Sequence, residues 1–300
     1  MKSRQSFNGL LAILLTFSIL SIISCQKENS GTTDQQEAEM ARASGEANAE
    51  AESVFDKVFD DVMGANDEVG VSGTGIFYGR TDTLVPVPRC FTVTVEHPNN
   101  TPFPVVITID FGTNGCTGPD GRVRRGKIIT EYTARLIMPG AMATTTFDGY
   151  YVNDVHVEGT HKITNTATTN TGARQFTIIV TDGKLTKPNG NYIKWNSEKH
   201  ITQIEGIVTP SPLDDIYKIE GGSHGQILRG NLLVGWQSSI TEPLIKRILC
   251  RWLVKGRVRT VRVNASTNTP WVAILDFGNG QCDNQATLSI NGQTFQITLP

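Results

Sequence analysis

Histidine is scarce in this chain, with five residues in 300, and that thins the choice of general bases and metal ligands. An excess of either charge is missing too. Lys and Arg number 27 against 29 Asp and Glu, for a formal net charge of −2. No global basic field is therefore present to attract nucleic acid or an anionic membrane face. Helical hydrophobic periodicity is absent beyond about Val71, which argues against a parallel α/β sheet. The apolar stretch at residues 10–23 falls short of the roughly 20 residues that favour a permanent membrane span.

What stands around that stretch is informative. Met1-Lys2-Ser3-Arg4 puts two cations ahead of it, and Ile22-Ile23-Ser24-Cys25 closes it. The cations hold the start on the cytoplasmic side while the apolar segment inserts. A small residue directly before a cysteine is the pattern cut by the lipoprotein signal peptidase, which leaves an S-diacylated cysteine as the new N-terminus. An ordinary secretory cleavage after Ser24 fits less well, because Ile22 is bulky where a small residue is wanted. Residues 1–24 therefore read as a lipoprotein signal peptide and Cys25 as the lipidation site. Two acyl groups, plus the usual third on the amine, anchor a protein stably where one chain does not.

Polar residues follow from Gln26 to Thr33, and Ser44 and Gly45 weaken helical character further on. Residues 25–45 are expected to form a lipidated tether. Val54, Phe55, Val58, Phe59, Val62 and Met63 recur at helical spacing among acidic residues, so 46–68 is expected to be an amphipathic helix packed on its own β domain. From 69 to 300 apolar and polar residues alternate between Gly, Asn-Gly and Asp-Gly punctuation, the signature of antiparallel strands with short turns. The clearest turn, Asn291-Gly292, sets Ile290 opposite Gln293, Leu288 opposite Phe295 and Ala286 opposite Ile297. The fold class is all-β: a large antiparallel meander, sandwich or open roll-like, with one N-terminal amphipathic helix.

An internal repeat divides that β region. Ile107-Thr108-Ile109-Asp110-Phe111-Gly112, followed by Cys116, matches Ala273-Ile274-Leu275-Asp276-Phe277-Gly278, followed by Cys282. Each copy is preceded by Asn-Thr-Pro-aromatic and by a cysteine-led strand, at Cys90 and Cys250. These are two related Cys-closed units near 90–130 and 250–300, with the meander between them. With Cys25 assigned to lipid, the even remainder suggests disulfides in an oxidising compartment. Sequence alone fixes no connectivity, but the repeat favours Cys90–Cys116 and Cys250–Cys282.

Asp-Phe-Gly-x3-Cys, then Asp120-Gly121-Arg122-Val123-Arg124-Arg125-Gly126-Lys127-Ile128, a Thr-rich meander, Cys250-x-Trp252 and Gly280-Gln281-Cys282-Asp283-Asn284 together resemble lipoproteins of Bacteroidota over most of the mature chain. The resemblance implies a cell-envelope location and carries no activity with it. Gln26-Lys27-Glu28 is similar to the surface-export signal of that phylum's lipoproteins, although Asn29 stands where a second acid is expected. The absence of Asp at 26 resembles lipoproteins sent on to the outer membrane.

Several motifs bear on chemistry. Gly221-Gly222-Ser223-His224-Gly225 matches Gly-x-Ser-x-Gly, but the run that follows is strand-like and a nucleophile elbow needs a strand-to-helix turn. His156, Glu158 and His161 are potential metal ligands, yet on a strand His161 falls on the opposite face unless Gly159 bulges it. Asp276, Asn279 and Asp283, with Asp110, Asn114 and Asp120 in the other copy, are hard oxygen donors suited to calcium. They lack EF-hand or nonapeptide spacing, so a disulfide-closed turn accounts for them better. Arg122, Arg124, Arg125 and Lys127 form the basic cluster, read as a solvated strand. Tyr150, Tyr151, Tyr192, Trp195 and Trp236 suit either a core or a sugar-stacking surface, and alternation on strands favours the core.

Taken together, the residues point to a lipid-anchored envelope protein at the outer membrane, on its periplasmic face or the cell surface, with a binding or structural role. No catalytic residue, metal ligand or cofactor is assigned. Expected partners are the membrane, through the anchor, and a polysaccharide or envelope protein, without nucleic acid. The alternatives are a hydrolase acting on glycan or peptide, which needs a convergent set of ionisable groups, and a carbohydrate-binding module built on Trp195 or Trp236.

Overall fold

A computed structural model describes residues 29–68, 90–118, 121–169, 172–207, 209, 214–263 and 271–299. Cys25 and the signal segment lie outside these residues, as do residues 69–89 and Asp120. Backbone packing divides the chain into Met1–Glu39 and Met40–Pro300. The second unit holds the sheet and the helix residues from Met40 onward.

All strands among the described residues belong to one antiparallel sheet. In chain order they are β1 (Thr92–Glu96), β2 (Val105–Asp110), β3 (Cys116–Thr117), β4 (Val123–Tyr132), β5 (Met142–Val152), β6 (Val155–Asn165), β7 (Gln175–Thr186), β8 (Tyr192–Glu205), β9 (Ile216–Arg229), β10 (Leu232–Arg247), β11 (Leu253–Arg262), β12 (Val272–Asn279), β13 (Gln285–Ile290) and β14 (Gln293–Thr298). Each strand pairs with the next in sequence, except that β3 is a short flap on β4 and β2 pairs β4 directly. The architecture is thus an open meander, and a two-sheet sandwich is excluded. The two repeat units occupy its opposite ends, β1–β4 at one and β11–β14 at the other.

Period-2 patterning sets the register, as it must where one face is buried. At Asn291-Gly292 both residues have positive φ, 47° and 87°, the geometry a two-residue hairpin with matched twist requires. Ile290 pairs with Gln293, Leu288 with Phe295 and Ala286 with Ile297, as their spacing predicts.

The helix departs from expectation. α1 runs Asn29–Glu68, so the segment expected as a tether, 25–45, is helical from Asn29. The Ala-, Glu- and Gln-rich composition of 35–43 is strongly helix-forming, and Ser44 and Gly45 are helix interior, not breakers. Both are buried, and a Cβ on Gly45 would sit 2.9 Å from Leu288 Cδ1. The missing side chain therefore lets the helix approach β13 closely, which offsets the propensity Gly lacks.

Nor is the helix merely laid on the sheet by one stripe. From Ala41 to Val62 it is buried on most of its circumference, through Ala47, Ala51, Phe55, Phe59 and Val62 among others. Its partners span the meander. Phe55 stacks on Trp195 of β8 and meets Phe147 of β5 edge-on, while Phe59 meets Phe176 of β7 and Tyr217 of β9. Tyr132 of β4 donates to the Val62 carbonyl at 2.8 Å. The sheet therefore curls around the helix, which supplies much of the core that a second sheet would otherwise provide.

Candidate functional site

A belt of small and polar side chains crosses the inner face of the sheet in unbroken register. Thr130 pairs with Thr145, Thr145 with His161, His161 with Val180, Val180 with Ser197, Ser197 with Ser223, Ser223 with Ser238 and Ser238 with Thr260. All are buried. Small groups here leave room for the helix, and hydrogen bonds compensate their polarity: Thr130 with Thr145 at 2.9 Å and Ser238 with Thr260 at 2.7 Å. Sequence reasoning missed this belt. Its signal was Ser197, Ser223 and Ser238 falling in the apolar phase of their strands.

The helix answers the belt with Asn48. Its Oδ1 accepts from Ser223 Oγ at 2.8 Å, Trp195 Nε1 at 3.1 Å and Trp236 Nε1 at 3.4 Å, so three strands are tied to one amide. Ser223 is thereby spent on structure. Gly221–Gly225 lies in the middle of β9 and no helix follows, so the nucleophile-elbow geometry is absent. Trp195 and Trp236 are buried in this knot and present no ring to solvent, which removes them as a sugar-stacking surface. One turn further along, Glu52 accepts from the buried Lys199 ammonium, with Asp56 at 3.5 Å. Burial, reinforced by the charge of Lys246, pulls Lys199 down to about 7.

The three potential ligands His156, Glu158 and His161 are split by the sheet. His156 and Glu158 lie outward, 3.6 Å apart, and Glu158 also pairs with Lys184 at 3.1 Å. The irregularities beside Gly159 take their extra residues from β5 and β7, so the parity of β6 is kept and His161 faces the core. Burial holds its imidazole down at about 4, a hydrogen bond to its own backbone opposing. Between about pH 4 and an ordinary 6.5, the unfolded chain takes up a proton that the folded chain refuses. Stability therefore falls as pH drops through that window and is indifferent to this residue above it. His161→Leu is expected to be at least as stable as the parent at pH 7, because Nδ1 has no partner. Its loss of stability on going to pH 4.5 is expected to be smaller by about 2 kcal/mol. Urea melts at both pH values check this, and parallel losses in the two proteins would refute a neutral buried ring.

The repeated Asp-Phe-Gly has a structural explanation. Asp110 Oδ1 accepts from Gly112 N at 2.8 Å and Asp276 Oδ1 from Gly278 N at 2.9 Å. Both glycines have positive φ, 70° and 90°, and Phe111 and Phe277 enter the core. Each motif thus turns the chain back toward its disulfide, Cys90–Cys116 or Cys250–Cys282, whose Cα atoms lie 5.3 and 5.7 Å apart. The second carboxylate oxygens face Lys127 at 3.8 Å and Arg257 at 2.8 Å. For Asp276, burial raises the carboxyl, but Arg257 and the Gly278 amide outweigh it and hold it below its ordinary value. A donor set already neutralised by cations and amides is poorly matched to calcium. Among the described residues, no group of three or more His, Cys, Asp or Glu converges to hold a metal.

The basic cluster, expected as a solvated strand, is half buried. Arg122 and Arg124 share the inner face, where Arg122 Nη2 donates to Ser53 Oγ of the helix at 3.1 Å. Outside, Arg125 stacks 3.7 Å over Tyr151, whose ring packs on His156 at 4.6 Å.

With the interior filled by the helix, solvent meets the sheet on its outer face. There β7–β10 carry a groove of about 520 Å³. Its floor is bare backbone at Gly222, which pairs with Glu198 on one side and Ser239 on the other. A Cβ at this glycine would come within 2.7 Å of the Ser238 carbonyl oxygen. Along one rim Asn196, His224 and Gln237 stand in register. Glu198 and His200 line the other side, 3.8 Å apart, and Thr177 Oγ1 meets His200 Nδ1 at 3.2 Å. Sequence reading singled out His224 for its motif but missed the groove, because its other members come from separate strands. The fold and this groove define a helix-filled, disulfide-closed β meander with an open polar face. No protein-family model, curated protein or solved structure matches the chain.

Proposed function

We propose that the chain is a lipoprotein of the bacterial cell envelope, acylated at Cys25 and held at the outer membrane, with its β domain acting through binding or as a structural body. The observation that carries the reading is the division of its cysteines. One follows a cationic start, a short apolar stretch and a small residue, and the other four are joined as Cys90–Cys116 and Cys250–Cys282. Disulfides persist in the compartment to which such a signal leads. A binding or structural role is supported by how the ionisable and nucleophilic candidates are used: Ser223 ties β9 to the helix, and Glu52 neutralises Lys199.

Metabolic labelling with radioactive palmitate tests the anchor. The parent chain is expected to take up label and sediment with membranes, and Cys25→Ala to do neither. Equal labelling of both, or no label in the parent, would overturn the reading. Protease shaving of intact cells then separates display at the surface, where the β domain is cut, from a periplasmic position, where it is spared.

A further inference from the structure

We propose that the outer-face groove over Gly222 binds an uncharged oligosaccharide, which gives the binding role proposed above a site and a ligand class. Its shape comes from a missing side chain. In the row Glu198–Gly222–Ser239 the central strand contributes no Cβ, so the backbone lies open between two lines of polar groups. The ladder between β9 and β10 also opens here. Pairing stops after Gly222 with Ser239 and resumes at Ile219 with Leu244, with two extra residues on β10. A ligand lying across the groove therefore meets main chain as well as side chains.

The rim suits hydroxyl groups. Amide, imidazole and carboxylate are planar groups that offer donors and acceptors close together, matching the paired donor and acceptor of a sugar hydroxyl. Asn196 is preset, since its Oδ1 accepts from Asp182 N at 2.8 Å. His224 and Gln237 are exposed and make no side-chain hydrogen bond among the described residues, so their hydrogen-bonding capacity is unspent. Ile179, 39% exposed, gives one wall an apolar seat for the carbon face of a ring. Charge selects against acidic glycans: among the described residues the groove's lining has Glu198 as its carboxylate and neither Lys nor Arg. Beneath, Ser223 is pinned to Asn48, so the floor is held rigid before any ligand arrives.

Isothermal titration of the purified full-length chain tests this. The probes are hexaoses of glucose in α and β linkage, mannose, xylose and N-acetylglucosamine, with an oligogalacturonate as the acidic control. At least one neutral hexaose is expected to bind and the acidic one to bind more weakly. His224→Ala with Gln237→Ala is expected to weaken binding about tenfold or more while leaving the circular dichroism spectrum and urea midpoint unchanged, because both side chains are exposed and unpaired. Ile179→Lys, outside the hydrogen-bonding set, should weaken it as well. Failure of every neutral probe, binding untouched by these substitutions, or equal affinity for the acidic probe would each overturn the proposal. None of these outcomes bears on acylation at Cys25, so the anchor stands or falls separately.

Discussion

Replacing Asn48 by Leu is expected to destabilise the β domain by about 4 kcal/mol. Leucine keeps the branching of the side chain and leaves no cavity, so the loss is expected to come from the hydrogen bonds it cannot accept. Asn48 Oδ1 accepts from Trp195, Trp236 and Ser223, and all three donors are buried. Each buried donor left without a partner costs about 1–3 kcal/mol, and the Trp236 contact, at 3.4 Å, is the weakest of the three. Urea denaturation followed by tryptophan fluorescence measures the effect, since two of the chain's four tryptophans sit in the knot. Asn48→Leu combined with Ser223→Ala should recover part of the loss, because it removes one orphaned hydroxyl. A single variant within about 1 kcal/mol of the parent would show that the amide does not hold the strands to the helix.

The same residues show what the sequence could and could not disclose. Alternation of apolar and polar positions gives the strands, and Asn291-Gly292 gives a hairpin to the residue, because both signals are local. The disulfides follow from a duplication visible by eye. What spacing leaves open is which side of a strand faces inward. Arg122 and Arg124 share a face by parity, and their charge argues for solvent. Both lie inside, where the helix brings Ser53, a partner remote in sequence, to Arg122, and the Arg122 carbonyl accepts from Arg124. Gly45 misleads for the same reason, since its merit is the room it leaves for Leu288 and its local propensity says the opposite. The groove is the extreme case. Asn196, His224 and Gln237 are unremarkable singly and form a rim only when three strands are placed in register.

The buried pair of Glu52 and Lys199 carries the second large expected effect. Both side chains are almost wholly enclosed, 6% and 5% exposed, so neither charge has water to fall back on. Glu52→Leu leaves the ammonium beside Lys246 with Asp56, at 3.5 Å, and the face of the Trp195 ring, 5.3 Å away, to oppose its charge. Breaking such a pair from one side typically costs about 3–5 kcal/mol while both groups are charged, so the loss is expected near 3 at pH 5, where Lys199 carries its proton, and well below that above pH 7, where it has given it up. Lys199→Met should also destabilise, by orphaning Glu52, whereas the double variant, which removes both partners of the pair, should lose less than the sum of the two. The pH dependence has a definite sign. Lys199 is held near 7 in the fold and titrates near 10.4 in an unfolded chain, so between these values the unfolded state binds the extra proton. Stability of the parent should therefore climb from pH 7 towards 9.5, and Lys199→Met should flatten that climb. Additive losses in the double variant, or an unchanged slope after Lys199→Met, would show that the two groups titrate and pack independently, and the helix would then be held in the sheet by its apolar and Asn48 contacts alone.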